Sequence, residues 1–144
     1  MNIQEWKEKT VTDGFQSKMK ELYGHKAKEN AARYIELLDM FKEQFGDSDH
    51  LTLFSAPGRT EIGGNHTDHQ HGCVLAASVD MDMIAAASVT EKGEICIKSE
   101  GYPMCSIDLD DLSVREEEKN STAALIRGVA ARFAALGCQV GGFQ

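Results

Sequence analysis

Ser55-Ala56-Pro57-Gly58-Arg59-Thr60-Glu61-Ile62-Gly63-Gly64-Asn65-His66-Thr67-Asp68-His69-Gln70-His71-Gly72 is the stretch on which the reading of this chain turns. Just before it, Leu51-Thr52-Leu53-Phe54-Ser55-Ala56 alternates and stops at Pro57-Gly58, the pattern of a strand running into a loop. The loop predicted from Gly58 to Gly72 sets a guanidinium, an amide, imidazoles, a hydroxyl and a carboxylate between glycines, which allow backbone to approach a ligand. Each hydroxyl of a polyol needs both a donor and an acceptor; Asp68 accepts, and Asn65 and His66 each do both. Arg59 presents a planar fork of donors suited to a phosphoryl oxygen or to charge growing between a nucleophile and a leaving phosphate. Taken singly, each residue has a plainer reading: a brace from Arg59 to Glu61, an Asx-turn or helix cap at Asp68, a left-handed turn at Asn65. Their clustering favours a polyol site.

Outward from this loop the chain divides by period. From Ser17 to Phe45, Met19, Leu22, Tyr23, Ala27, Tyr34, Leu38, Phe41 and Phe45 recur at helical spacing, which predicts one or two helices, weakened at Gly24 and stopped at Gly46-Asp47-Ser48-Asp49. After the loop, Cys73–Val79 and Met83–Val89 read as two strands joined through Asp80-Met81-Asp82. Glu91-Lys92-Gly93-Glu94 is then a turn, with Ile95–Ser99 as the returning arm of a hairpin and a further strand at Met104–Leu109. The acidic stretch from Asp108 to Asn120 reads as a solvated loop whose charges need no ligand. A helix follows, capped by Ser121 or Thr122 and stopped by Gly137. Val140–Phe143 resembles the approach to another strand, so the chain is expected to be a piece of a larger protein.

Composition narrows the classes. A domain of 144 residues hides roughly 70% of the surface its unfolded chain exposes, enough for one core. The net charge of −8 and pI near 5.1, with no Lys/Arg cluster, argue against nucleic acid as a partner. Cys73, Cys96, Cys105 and Cys138 form no C-x-x-C pair, which fits reduced thiols in a cytoplasmic protein. The charged start Met1–Lys9 is no secretion signal, and Cys73–Val89, broken by Asp80 and Asp82, falls short of the ~20 apolar residues of a membrane span. His66, Asp68, His69 and His71 lie within six residues, yet no distant His/Cys pair completes a site, so no metal is assigned. Neither G-x-x-x-x-G-K-[ST] nor G-x-G-x-x-G nor G-x-S-x-G occurs, so the nucleotide site is not identified.

The run Gly58–Gly72 resembles the N-terminal signature of galactokinases, G-R-V-N-L-I-G-E-H-T-D-Y-N-G-G, without gaps. Gly58, Arg59, Gly64, His66, Thr67, Asp68 and Gly72 are identical to it. Weaker similarity reaches Cys73–Val89, Ile126-Arg127-Gly128-Val129 and Gly141-Gly142-Phe143, so the resemblance covers roughly residues 51–144. It implies an α+β fold, the ribosomal-protein-S5-like N-terminal domain of GHMP kinases, at 51–144, behind a helical arm at 1–50. It further implies transfer of the γ-phosphoryl of MgATP to the C1 hydroxyl of α-D-galactose, the entry to the Leloir pathway. Arg59 then stabilises the transition state, and Asn65, His66, Thr67 and Asp68 hold the sugar. Three departures stand out: Asn65 replaces the family's sugar-binding glutamate, Glu61 its asparagine, and His69 its tyrosine. The glycine/serine-rich ATP loop and the aspartate proposed as base lie outside these residues, so the chain alone is expected to be inactive, its partner being the missing C-terminal part of the same protein. A non-catalytic sugar sensor, or a GHMP kinase for another sugar such as N-acetylgalactosamine, are the alternatives.

Overall fold

Two capping side chains start the helical layer earlier than its apolar stripe announces. The computed structural model of the chain describes residues 1–64 and 67–144, and of Asp68 the backbone alone. Helix α1 spans Ile3–Thr10, α2 Asp13–Tyr23 and α3 Ala27–Phe45, with a 3₁₀ turn at Gly24–Lys26. Asn2 accepts from the Glu5 N–H at 2.8 Å while the Glu5 carboxylate accepts from the Asn2 N–H at 2.9 Å, a reciprocal capping box. Thr12 caps α2 through the Phe15 N–H. The expected start at Ser17 therefore moves towards the terminus, because caps rather than hydrophobic spacing set it. Gly24, at φ +54°, ends α2 but does not end the layer.

Strands β1 (Leu51–Gly63), β2 (Leu75–Thr90), β3 (Glu94–Ile97), β4 (Cys105–Asp108) and β5 (Gly142–Phe143) form one sheet in the order β1-β2-β5-β3-β4. Helix α4 covers Thr122–Ala135, capped by Ser121 as expected. Three readings of the strands are corrected. First, β1 does not end at Pro57 but runs on to Gly63; at the edge of the sheet a proline lacking its N–H costs no ladder bond. Second, Cys73–Val79 and Met83–Val89 are not two strands, because β2 continues through Asp80 and Asp82, whose carboxylates meet Lys26 and Arg33 of the helical layer instead of forming a turn. Third, β3 does not return as a hairpin on β2. Phe143 of β5 sits between them, antiparallel to Val89 and parallel to Ile95.

Alternation along β1 and β2 assigns the faces. Leu51 and Leu53, with Ile84 and Ala86 of β2, face α1–α3 and pack with Ile3, Met19, Tyr34, Leu38 and Phe41. The first residue of β1 is anchored from the helical side, its N–H donating to the Met1 carbonyl at 2.9 Å and its carbonyl accepting from Trp6 Nε1 at 2.8 Å. On the other face, Ile95 and Ile107 pack against Ala130 of α4. The half of that face built by β1 and β2 carries Phe54, Met83 and Val89 exposed, and α4 carries an exposed stripe of Leu125, Val129 and Phe133.

Two ionic ties join helix to neighbour. Arg33 of α3 bonds Asp82 of β2 at 2.7 Å. Arg127 of α4, 3% exposed, bonds both oxygens of Glu118 at 2.7 and 2.8 Å and donates to the Asp111 carbonyl. The acidic stretch thus does use its charges, to hold a buried arginine. Hydrogen bonds from Arg127 lower the Glu118 pKa. Burial pushes Asp82 up, but hydrogen bonds from Ser55, Tyr23 and Arg33 outweigh it and the net shift is downward.

Leu38 is completely buried, and truncation to alanine removes its contacts with Ile3 and Phe41 and leaves a cavity. Leu38→Ala is expected to cost about 3 kcal/mol in urea denaturation, with the same circular-dichroism spectrum before unfolding. Asp82 and Glu118 are more acidic folded than at their ordinary values of 3.8 and 4.5, so their ties contribute fully above those values. That contribution is lost as pH falls from there through the folded pKa values. The unfolding midpoint should therefore drop on acidification below about pH 4.5, and a midpoint held constant down to about pH 3 would contradict these ties.

Candidate functional site

Gly58 marks the place where the β1–β2 ladder breaks step. Pro57 pairs with Asp82, and the next pair is Arg59 with Ser78, so Val79, Asp80 and Met81 together lie opposite Gly58. A side chain at this point has no room: a Cβ on Gly58 would stand 2.9 Å from Cγ2 of Val79. A second irregularity follows, with Glu61 paired to Ala76 and Gly63 to Leu75, which leaves Ile62 as the extra residue on β1. Bulges of this kind raise local twist and re-aim side chains. Arg59 lies between the two, on the strand rather than in a loop, exposed and without an ion pair to any described residue. The brace to Glu61 is accordingly not formed.

Beyond β1 the chain turns at Gly64, whose φ of +111° only glycine adopts readily, and where a Cβ would lie 2.6 Å from the Cys73 carbonyl oxygen. Thr67 then closes the loop. Its N–H donates to the Gly64 carbonyl at 3.2 Å, and its own carbonyl accepts from Gln70 at 3.0 Å and Gly72 at 2.8 Å. The Thr67 hydroxyl, half-buried, points at the Cys73 carbonyl 3.5 Å away. A 3₁₀ turn spans Asp68–Gln70, and His71 takes a left-handed φ of +63° on the way to Gly72.

Of the residues singled out from sequence, Arg59 and Thr67 fall within this bulged end of the β1–β2 ribbon, and Asp68 opens the 3₁₀ turn beside them. Thr67 spends its backbone polar groups on closing the loop, so its part is at least as much to shape the site as to touch a ligand. Asn65 and His66 lie outside the described residues, as does the side chain of Asp68. Among the described residues no three His, Cys, Asp or Glu side chains converge as a metal centre.

Sequence reasoning missed a polar cluster adjoining the site. The Asp82 carboxylate accepts from the Tyr23 hydroxyl at 2.5 Å, Ser55 Oγ at 2.6 Å and Arg33 Nη1 at 2.7 Å. The Tyr23 hydroxyl also lies 3.1 Å from that of Tyr34; burial and the bond to Asp82 raise its pKa. The signal was present as an acid inside an otherwise apolar run, a position that needs partners.

The strain at Gly64 gives a direct check. Gly64→Ala is expected to open the Gly64–Gly72 loop, raising hydrogen-exchange rates at Thr67, Gln70 and Gly72 by more than about tenfold, while α3 amides exchange as before.

Against known proteins, residues 39–89 match the family model described as the galactokinase galactose-binding signature. The chain is 32% identical over 93 residues to the galactokinase of Lactococcus lactis subsp. cremoris (strain MG1363), an alignment covering 62% of this chain and 23% of that protein. It is 31% identical over 86 residues to the galactokinase of Bacillus subtilis (strain 168), covering 58% and 22%. The crystal structure of Lactococcus lactis galactokinase complexed with galactose matches with a TM-score of 0.64 and 28% identity, over 73% of this chain and 28% of that one. The chain thus spans about a quarter of the length of the relatives it matches. This chain's own architecture is mixed α/β with one sheet. Residues 39–89 thus carry the galactokinase galactose-binding signature, and the chain is similar in sequence and structure to part of known galactokinases.

Proposed function

We propose that this chain is the galactose-binding N-terminal part of a galactokinase-like sugar kinase, which transfers the γ-phosphoryl of ATP to the C1 hydroxyl of α-D-galactose. The observation that carries the reading is the signature run itself, which starts on a strand pair bulged once on β2 and once on β1, with Arg59 exposed between the two bulges. In this proposal Asn65, His66, Thr67 and Asp68 hold the sugar hydroxyls. Arg59 neutralises charge that builds during in-line transfer, where catalysis depends on positioning and electrostatics.

The division into an arm at 1–50 and a sugar-binding domain at 51–144 of the S5-like GHMP class belongs to the same proposal, as does a cytoplasmic setting. Among the described residues no helix is long and apolar enough to cross a membrane. These 144 residues contain no phosphate-loop motif, and among those described no acidic cluster able to hold a cation. In this proposal the rest of the protein supplies residues for ATP and Mg²⁺ and covers the exposed apolar face of β1 and β2.

The test is a coupled ATP/galactose assay on the complete protein that carries this chain. Wild type should phosphorylate galactose, and Arg59→Ala should lower kcat by about 100-fold or more. Because Asn65 lacks the negative charge of the glutamate it replaces, Asn65→Glu should change the ratio of galactose to N-acetylgalactosamine turnover. Galactose binding with no transfer in wild type would instead identify a sensor, and undiminished turnover in Arg59→Ala would remove that residue from the mechanism.

A further inference from the structure

We infer that Asp82 is a positioning residue: held by Tyr23, Arg33 and Ser55, it fixes the bulge opposite Gly58 and, through that bulge, the direction in which β1 presents Arg59. The inference rests on the role proposed above for Arg59.

Asp82 is the last β2 residue paired before the ladder breaks, opposite Pro57, and the ladder resumes at Arg59. Its carboxylate, 8% exposed, is shared by three separate elements: α2 through Tyr23, α3 through Arg33, and β1 through Ser55. Arg33 Nη2 also donates to the Asp82 backbone carbonyl at 3.2 Å, so the main chain at the edge of the bulge is fixed along with the side chain. Arg33 is itself oriented by Asn30, whose Oδ1 accepts from Nη1 at 2.5 Å. Within the bulge, Asp80 meets Lys26 at 3.7 Å.

The space around this network shows why it matters. An open cleft of about 640 Å³ lies between the helices and the bulge, lined by Tyr23, Arg33, Pro57, Val79 and Met81 among others. Apolar packing therefore does not seat the bulge on the helical layer at this point, and the polar contacts of Asp82 span the gap. A bulge held by a few directional bonds changes its twist when one is removed, and a side chain one residue further on changes its aim. Displacement of a reacting group by about 1 Å is enough to cost up to 10²-fold in rate.

The experiment uses the complete protein. Asp82→Asn is expected to lower kcat for galactose phosphorylation about tenfold with KM changed less than threefold, and Tyr23→Phe, a milder change that removes one hydroxyl, about threefold. In protein labelled with ¹⁵N-arginine, with the resonance assigned through Arg59→Lys, the Arg59 amide should shift in Tyr23→Phe while other arginines distant from the cluster do not. A stability tie alone would lower the melting temperature and leave both readouts unmoved. Wild-type kcat in both variants together with an unshifted Arg59 amide overturns the inference. If wild type itself fails to phosphorylate galactose, the proposed function falls, and the Arg59 amide still decides whether Asp82 sets the geometry of that strand.

Discussion

The mismatch of three residues of β2 against Gly58 is the constraint from which the rest of this structure follows. The extra residues lie on β2, so the strand pair departs from regular pairing, with raised local twist, at the residue before Arg59. A side chain at Gly58 would have to displace Val79, whose Cγ2 lies 2.9 Å from where a Cβ would stand. The extra residue at Ile62 and the turn at Gly64 continue the departure, and Thr67 ties the returning chain shut. The ribbon thereby ends where the Thr67 backbone bonds to Gly64, Gln70 and Gly72.

Such a distorted edge needs support from both sides. On one face the three helices supply it, with an apolar seam against Leu51 and Leu53 and a polar one at Asp82 where the strand curves away. On the other face α4 packs on β3 and β4, while Phe54, Met83, Val89 and Phe143 stay exposed. The asymmetry accords with a chain that matches about a quarter of its relatives' length. Arg127 shows the same logic on a smaller scale, a buried charge made tolerable by two oxygens of Glu118 and a carbonyl.

Local chemistry was legible in the sequence and long-range pairing was not. The stripe through Tyr34, Leu38 and Phe41 placed α3, Ser121 placed the start of α4, and Val140–Phe143 pointed to β5. The place of β5 between β2 and β3 was hidden, because periodicity reports which side of a strand is apolar and says nothing of which strand lies beside it. Pro57 and the pair Asp80 and Asp82 were read as breaks since both disfavour strand interiors; an edge position rescued the first, and cations from α2 to α3 the second. In the candidate site, the signature singled out Arg59 and Thr67 for the roles proposed, but its apparent loop concealed that Arg59 rides on a strand. Asp82 was passed over because its partners Tyr23 and Arg33 come from helices far away in sequence.

The central claim is that the bulged end of the β1–β2 ribbon is where a sugar sits. A crystal structure of the complete protein with galactose tests it most directly. The account predicts sugar hydroxyls within hydrogen-bonding distance of residues 65–68 and the Arg59 guanidinium turned towards the C1 hydroxyl. Galactose bound elsewhere, with residues 58–72 making no contact to it, would contradict the account.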